Sequence, residues 1–239
     1  MVQPEPIKQN LAENGFAIIE DVYSHNQISS IIETIGKADT SNPTYRKSSG
    51  LFAIRQFLKE LPQVKPYIFV DRLITIINTL FGNNYFVVKS IYFDKPGASN
   101  WFVAYHQDLT ISVDKKAVVQ GFGPWSVKQN QYAVQPPLEV LESNFTIRIH
   151  LDDTDENNGA LRVIAGSHLK GICRPDTTYL SRNQESLCSV PRGGIMLMRP
   201  LLLHASSRTT NDKQRRVIHI EFSNQTLPEP LSWSELYNL

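Results

Sequence analysis

Residues 102–108 read Phe-Val-Ala-Tyr-His-Gln-Asp, a strand-like segment that ends in a histidine and an aspartate two positions apart. Phe102–Tyr105 contains β-branched and aromatic residues, so it is predicted to form a short strand. Side chains two apart on a strand point to the same face, so His106 and Asp108 could converge on one metal ion. A solvated histidine and aspartate at a strand end would give the same tripeptide, so the segment needs support from the rest of the chain.

Short strand-like segments of the same kind dominate the chain after residue 84. They are rich in β-branched and aromatic residues, and clusters of glycine and proline separate them. The predicted strands are Tyr85–Phe93, Phe102–Tyr105, Phe145–Leu151, Ala160–Ile164, Ile195–Met198, Leu201–His204 and Val217–Phe222. Helices followed by many short strands predict an all-β core with flanking helices, either a β-sandwich or a jelly roll.

The first third of the chain carries helix signals. Ser24 and Gln27 fit a capping box for a helix that ends near Gly36. A second long helix is predicted from Val64 to Leu80, where apolar residues recur at helical spacing. Between the chain start and the first of these helices, Gly15–Ile19 is predicted to be a short buried strand.

These elements predict a single domain over residues 1–239, in which a helical N-terminal support (about 1–84) packs on the jelly-roll core (about 85–225). Residues 109–140 form the longest stretch without clear periodicity. A loop of that length in a compact domain is usually functional, so it is predicted to be a lid. Three aromatic residues in it could contact a substrate: Phe122, Trp125 and Tyr132.

The composition excludes several classes of protein. With 24 basic and 23 acidic residues, the chain lacks the basic excess of a nucleic-acid-binding protein. It contains no apolar run of about 18 residues, so no membrane span is expected. The N-terminus has no signal-peptide core, and we expect a cytoplasmic protein. Cys173 and Cys188 match no zinc pattern and could be reduced or joined. The oligomeric state is left open.

Two further residues could complete a site with the His-x-Asp segment. His204 ends the apolar run Leu201–Leu203, where a histidine is either a ligand or a satisfied core residue. Arg215 opens a predicted strand with one polar and one apolar face. The polar face, which would line a ligand cavity inside the jelly roll, carries Arg215, Val217, His219 and Glu221.

Taken together, these segments resemble the phytanoyl-CoA dioxygenase family of iron(II)- and 2-oxoglutarate-dependent oxygenases. The likeness covers roughly residues 85–225 and depends on the order and spacing of four stretches. They are Tyr105–Leu109, Asn158–His168, Leu203–Ser206 and Arg215. The second stretch departs from the family signature at Ala165, where proline is usual. His168 belongs to a turn of that signature, so we interpret it as structural.

The resemblance implies a double-stranded β-helix fold (a cupin-like jelly roll) and a set of roles for individual residues. His106, Asp108 and His204 would bind iron(II) and act as the catalytic centre. Arg215 would pair with the distal carboxylate of the cosubstrate 2-oxoglutarate, and Ser206 would add a hydroxyl contact. A planar guanidinium suits this task because it can hold a carboxylate through two parallel hydrogen bonds.

Arg148 and Lys89 are further candidates for binding 2-oxoglutarate. Arg148 falls where family members place a side chain beside the cosubstrate. Lys89 shares a strand face with Ile91 and could contact 2-oxoglutarate or an anionic substrate, or reach solvent instead.

The implied activity is a 2-oxoglutarate-dependent dioxygenase that uses O2. It would hydroxylate, or otherwise oxidise, a C–H bond of a small organic molecule and release succinate and CO2. Two alternatives remain open at this point. One is a non-catalytic 2-oxoglutarate-binding sensor on the same scaffold, and the other is a zinc hydrolase that uses the same three ligands.

Overall fold

The computed structural model describes residues 3–38, 45–48, 51–97, 101–128, 131–173 and 185–239. Within these ranges the α-helices are α1 (Pro4–Glu13), α2 (His25–Gly36), α3 (Phe57–Glu60), α4 (Lys65–Ile68), α5 (Asp71–Phe81) and α6 (Leu138–Glu142). The strands are β1 (Phe16–Ile19), β2 (Tyr45–Ser48), β3 (Leu51–Arg55), β4 (Phe86–Lys95), β5 (Val103–His106), β6 (Ile111–Val113), β7 (Trp125–Lys128), β8 (Gln131–Val134), β9 (Phe145–His150), β10 (Leu161–Ile164), β11 (Glu185–Cys188), β12 (Ile195–Met198), β13 (His204–Ser206), β14 (Arg215–Ser223) and β15 (Tyr237–Asn238).

Two antiparallel sheets form the centre of the molecule. The larger has the order β1-β12-β9-β14-β4-β3-β2, with β15 also paired to β4, and the smaller has the order β11-β10-β13-β5. Residues from both sheets line one cavity, as expected for a jelly roll. The predicted fold class is confirmed, and seven of the eight predicted strands are present with boundaries within two residues.

The larger sheet receives strands from both ends of the chain. β1 forms one edge beside β12, and β3 lies beside β4 with Arg55 opposite Ile91. The first 84 residues therefore supply three strands to the jelly roll as well as helices. The predicted boundary near residue 85 therefore does not separate the N-terminal segment from the larger sheet.

Side chains of β14 point alternately to the hydrophobic core on one face of the larger sheet and to the cavity on the other. Arg215 and His219 line the cavity, whereas Ile218, Ile220 and Phe222 are fully buried in the main hydrophobic core. That core also contains Ile28 and Ile31 of α2 and Leu73 and Ile77 of α5, so the helices cover the other face of the sheet. Burial of each such side chain contributes about 1.5–3 kcal/mol.

Helix α2 begins as its sequence predicts. The Ser24 hydroxyl accepts a hydrogen bond from the Gln27 backbone N–H, and the Gln27 side chain accepts one from the Ser24 backbone N–H. This reciprocal pair satisfies two donors that a helix N-terminus otherwise leaves without partners.

The long helix predicted from Val64 to Leu80 is wrong in one respect, because it is interrupted. A 3₁₀ turn and α4 precede a break at Phe69 and Val70, and α5 then starts at Asp71. The buried Tyr23 hydroxyl donates to the Ile68 carbonyl at 2.7 Å, which occupies an acceptor at the end of α4. This contact comes from a residue 45 positions away, so the local apolar spacing gave no sign of it.

The predicted strand Leu201–His204 is also wrong. Strand β13 begins at His204, and the preceding leucines form a buried turn in which the Leu202 N–H donates to the Arg199 carbonyl. The three leucines are buried, so their apolar character reflects burial and not strand pairing.

The segment 109–140, predicted to be a lid, has a different role in the structure. Its described residues form a separate sheet, β6-β8-β7, followed by α6. Phe122, Trp125 and Tyr132 pack into a second hydrophobic cluster with Val113 and Trp233. No described residue of this segment lines the cavity between the sheets, so its aromatic side chains stabilise their own small sheet instead.

Gly15 allows the N-terminal segment to approach the turn that carries His168. Its φ is +82°, and a Cβ atom there would lie 2.5 Å from His168 Nδ1. The His168 Nε2–H donates to the Ala12 carbonyl at 3.2 Å. This contact agrees with the structural role predicted for His168.

Cys173 and Cys188 are free thiols, and Cys188 is buried. Across the described ranges, none of the helices combines the length and apolar character needed to traverse a bilayer.

Candidate metal centre

Three side chains from the smaller sheet and its connection meet at one end of the cavity. His106 ends β5 and His204 begins β13, and the two residues are direct partners in the register of these strands. Asp108 follows His106 by two positions, and its backbone N–H donates to the Pro200 carbonyl. The Nε2 atoms of His106 and His204 lie 3.9 Å and 3.8 Å from the carboxylate oxygens of Asp108.

The main chain orients both histidines in the same way. His106 Nδ1 lies 2.9 Å from the Ala104 carbonyl, and His204 Nδ1 lies 2.9 Å from the Leu202 carbonyl. Because a carbonyl only accepts, each Nδ1 must carry the hydrogen. Each Nε2 therefore keeps its lone pair and is directed toward Asp108, which suits a metal ligand.

The protonation states of His204 and Asp108 suit metal ligands. Burial lowers the pKa of His204 to about 4, although Asp108 partly opposes the shift, so this imidazole is neutral at pH 7. Burial alone would raise the pKa of Asp108, but the surrounding side chains, which include the Lys89 ammonium, lower it below the ordinary value. Each of the three residues offers one ligand atom, and these three atoms lie within 4.8 Å of one another. Two imidazoles and one carboxylate, with coordination positions left open, are typical of non-heme iron(II) sites.

The cavity that contains this triad has a volume of about 300 Å³. Apolar side chains of β3, β4 and the segment before β5 form much of its wall. The predicted site residues that line it are Lys89, His106, Asp108, Arg148, His204, Ser206 and Arg215. The sequence prediction therefore placed all of its candidates in one cavity.

Two buried guanidinium groups on the larger sheet line the same cavity. Arg215 is only 4% exposed, and its Nε and one terminal nitrogen have no hydrogen-bond partner among the described residues. The Nε of Arg148 on β9 is likewise without one. Burial lowers the pKa of Arg215 to about 9 and that of Arg148 to about 10, so both stay charged at pH 7. Buried charges without partners are costly, so this pair fits an anionic ligand.

Lys95 adds a third cation behind Arg215, its direct neighbour across β4 and β14. It is fully buried, and its ammonium donates to the Ser207 carbonyl at 2.6 Å. Burial, reinforced by Arg215, lowers the pKa of Lys95 to about 8. Sequence analysis did not single out this residue, although its strand position opposite Arg215 follows from the strand register.

Ser206 lies where the resemblance expects it, two residues beyond His204. Its hydroxyl donates to the Gly159 carbonyl at 2.9 Å. The lone pairs of its oxygen remain available, while its hydrogen is engaged by the protein.

Lys89 does not extend to solvent. Its ammonium contacts Glu221 Oε1 at 2.6 Å in the interior of the cavity region. Burial acts to lower the pKa of Lys89, but Glu221 and Asp108 raise it above the ordinary value. The sequence left open whether Lys89 contacts a ligand in the cavity or reaches solvent, and the second alternative is wrong.

Several lining residues were missed by the sequence analysis. Ala53 and Arg55 come from β3, which the helical description of the first 84 residues did not include. Trp101 precedes β5 and also lines the cavity. The alternation of β14 had placed His219 and Glu221 on the cavity side, but not their contacts, which depend on the register with β4 and β9.

Comparison with known proteins agrees with this geometry. The sequence matches the family described as phytanoyl-CoA dioxygenase (PhyH) over residues 11–217. No curated protein sequence matches the chain. Among solved structures, HygX from Streptomyces hygroscopicus with nickel, 2-oxoglutarate and hygromycin B bound is similar with a TM-score of 0.68 and 14% identity, covering 95% of this chain and 90% of that one.

Two further structures show the same fold. EctD from S. alaskensis, in its apoform, has a TM-score of 0.71 and 17% identity, with 96% of this chain and 80% of that chain covered. AviO1 from Streptomyces viridochromogenes Tue57 has a TM-score of 0.67 and 16% identity, with 95% and 98% covered. At these identities the likeness concerns the fold. The family match spans most of the sequence, and the chain therefore belongs to the phytanoyl-CoA dioxygenase family of iron- and 2-oxoglutarate-dependent oxygenases.

Proposed function

We propose that the protein hydroxylates, or otherwise oxidises, a C–H bond of a small organic molecule, with release of succinate and CO2 from 2-oxoglutarate. One observation carries the proposal. A His-Asp-His donor set on one sheet and two incompletely paired arginines on the other line the same cavity.

In this proposal His106, Asp108 and His204 hold iron(II). The bound metal supplies the oxidation chemistry together with the keto acid and O2. Arg215 binds the distal carboxylate of 2-oxoglutarate with its guanidinium group, which lines the cavity. The main-chain carbonyls at Ala104 and Leu202 keep the histidine rings in their ligating tautomer before any ion arrives.

Arg148, Ser206 and Lys89 line the same cavity and complete the proposed cosubstrate site. Arg148 adds a second buried guanidinium group that lines the same cavity. Ser206 adds a hydroxyl beside the keto acid, and its oxygen is held in place by its bond to Gly159. Lys89 contributes a positive charge close to Asp108 and is already neutralised by Glu221, which makes it the weakest of the candidate anion ligands.

The remaining wall of the cavity limits the substrate. Ala53, Ile91, Phe93, Trp101 and Val103 give it a largely apolar surface. A volume of about 300 Å³ must hold the cosubstrate as well, which is at the small end for ligand pockets. A compact substrate with an apolar portion beside the metal fits this space best.

Succinate formation from 2-oxoglutarate, with iron(II), ascorbate and O2 present, tests the proposal. We expect slow succinate release without added substrate, and none when His204 is replaced by alanine. Binding of 2-oxoglutarate with no succinate release under any substrate would indicate a sensor. Hydrolysis that persists without O2 in the zinc-loaded protein would indicate a hydrolase. Either result would overturn the oxygenase proposal.

A further inference from the structure

A hydrogen-bonded chain of four side chains crosses the cavity face of the larger sheet. Lys89 on β4 contacts Glu221 on β14 at 2.6 Å, and the same Glu221 oxygen lies 3.1 Å from His219 Nε2. His219 Nδ1 lies 3.2 Å from a terminal nitrogen of Arg148 on β9. The strand register explains these contacts, since Lys89 is opposite Glu221 and Arg148 is opposite His219.

The partners leave only one arrangement of hydrogens on His219. An arginine nitrogen can only donate, so His219 Nδ1 must accept the bond from Arg148. A carboxylate can only accept, so His219 Nε2 must donate to Glu221. His219 is therefore a neutral imidazole of a single tautomer, and Lys89 balances the charge of Glu221.

The same residues do not require a second metal ion. Asp108, His219 and Glu221 present ligand atoms within 4.8 Å of one another, which could suggest a metal site. However, both nitrogens of His219 are engaged, and one oxygen of Glu221 already receives the Lys89 ammonium. The Lys89 ammonium already supplies the positive charge that a metal ion would provide.

The last side chain in this series of hydrogen bonds is Arg148, which lines the cavity. Its Nε has no partner within the part of the protein that the structure describes. A guanidinium on a flexible side chain binds an anion well only if its orientation is fixed beforehand. We propose that His219 is a positioning residue that fixes the Arg148 guanidinium for binding the keto acid, in the tautomer that its bond to the Lys89-paired Glu221 selects. This inference rests on the proposed function, because it assigns the cosubstrate as the ligand of Arg148.

Two replacements of His219 separate the two halves of its role. In His219→Asn the amide oxygen can occupy the position of Nδ1 and accept from Arg148. In His219→Gln the longer amide reaches the position of Nε2 and can bond Glu221, but it leaves Arg148 without an acceptor. The two side chains are similar in polarity and bury similar groups, so each is a matched control for the other.

The measurement is calorimetric binding of N-oxalylglycine, a non-reactive analogue of 2-oxoglutarate, to the Mn(II)-loaded full chain. We expect His219→Asn to bind within about threefold of the unmodified protein, and His219→Gln to bind about tenfold more weakly, the loss typical of one such hydrogen bond. Equal affinities for the two variants, with melting temperatures alike, would overturn the positioning role.

A double-mutant cycle tests whether His219 acts through Arg148. If it does, His219→Gln should have no further effect on binding once Arg148 has been replaced by methionine. Additive losses would overturn the inference. Failure of the unmodified Mn(II) protein to bind N-oxalylglycine at all would instead contradict the proposed function, so the two failures are distinguishable.

Discussion

Arg215 is the residue whose surroundings make the clearest demand for a ligand. No salt bridge within the described ranges pairs it with a carboxylate, yet it is 4% exposed. Arg215→Met should remove two charged hydrogen bonds to the cosubstrate, a loss of about 3 kcal/mol and roughly a 100-fold rise in KM for 2-oxoglutarate. Steady-state succinate assays at varied 2-oxoglutarate concentration would measure it.

Arg216 provides the matched control for this prediction. It is the next residue of β14 but lies on the opposite face, where its guanidinium contacts Asp152 at 2.6 Å. Arg216→Met should leave KM for 2-oxoglutarate unchanged while lowering thermal stability. An unchanged KM in Arg215→Met would contradict the carboxylate assignment of Arg215.

The triad gives a second prediction at this scale. Asp108→Ala or His106→Ala removes one of three proposed ligands, so iron(II) affinity should fall by at least about tenfold, with loss of succinate formation. Metal affinity can be followed by competition with a chelator, independently of turnover. Retention of full iron affinity in both variants would exclude these residues as ligands.

The sequence located the triad because its spacing along the chain is characteristic, and this needed no knowledge of contacts. The partners of Lys89 and Arg148 could not be found in that way. Glu221 lies 132 residues from Lys89, and His219 lies 71 residues from Arg148. Their meeting depends on how β4, β14 and β9 align, and a shift of one residue would send these side chains to the opposite face.

At the scale of elements, α2 offers a direct test of its N-terminal cap. Ser24→Ala removes the hydroxyl that accepts from the Gln27 N–H, which should lower the free energy of unfolding by about 1 kcal/mol. Ser30→Ala, in the interior of the same helix, should have a neutral or slightly stabilising effect because alanine favours helices. Urea denaturation would compare them, and equal effects would show that the cap contributes little.

The capping box could be predicted because all of its contacts lie within four residues. The break between α4 and α5 could not, because the Tyr23 hydroxyl that contacts Ile68 belongs to a distant segment. Residues 109–140 illustrate a related difficulty. The strands of this segment are three or four residues long, too short for periodicity to be visible.

At the scale of the whole molecule, Glu235 ties the C-terminal segment to β4. Its carboxylate oxygens lie 2.8 Å from the Ser90 backbone nitrogen and 2.6 Å from the Ser90 hydroxyl. Burial raises the pKa of Glu235 from 4.5 to about 7, opposed by Ser90 and Lys89 and assisted by Glu221. The folded protein therefore holds a proton here that the unfolded chain releases at lower pH.

The contribution of this proton to stability should be complete below about pH 4.5 and lost as the pH rises to about 7. Its size is roughly 3 kcal/mol. Glu235→Gln keeps a carbonyl acceptor for Ser90 and should lack this pH dependence. Unfolding free energies of both proteins between pH 5 and 8 would measure the difference, and parallel curves would contradict it.

The overall architecture could be predicted from the sequence because polar and apolar side chains alternate regularly along β14. Ile218, Ile220 and Phe222 enter the core, while Arg215 and His219 line the cavity. Such alternation indicates a sheet with one face toward a core and the other toward a polar interior. The strand β1 was also predicted, as Gly15–Ile19, but β2 and β3 were not, because they lie in a segment whose neighbours are helices.

The division of the site between two sheets has a consequence for the choice of keto acid. The candidate iron ligands belong to the smaller sheet and Arg215 to the larger, and packed sheets stand about 10 Å apart. A cosubstrate must bridge this gap with an oxygen-rich head at one wall and a carboxylate at the other. Oxaloacetate would fall short by one methylene and 2-oxoadipate would be too long by one. We therefore expect the spacing of the two sheets to determine which length of keto acid can reach both walls of the cavity.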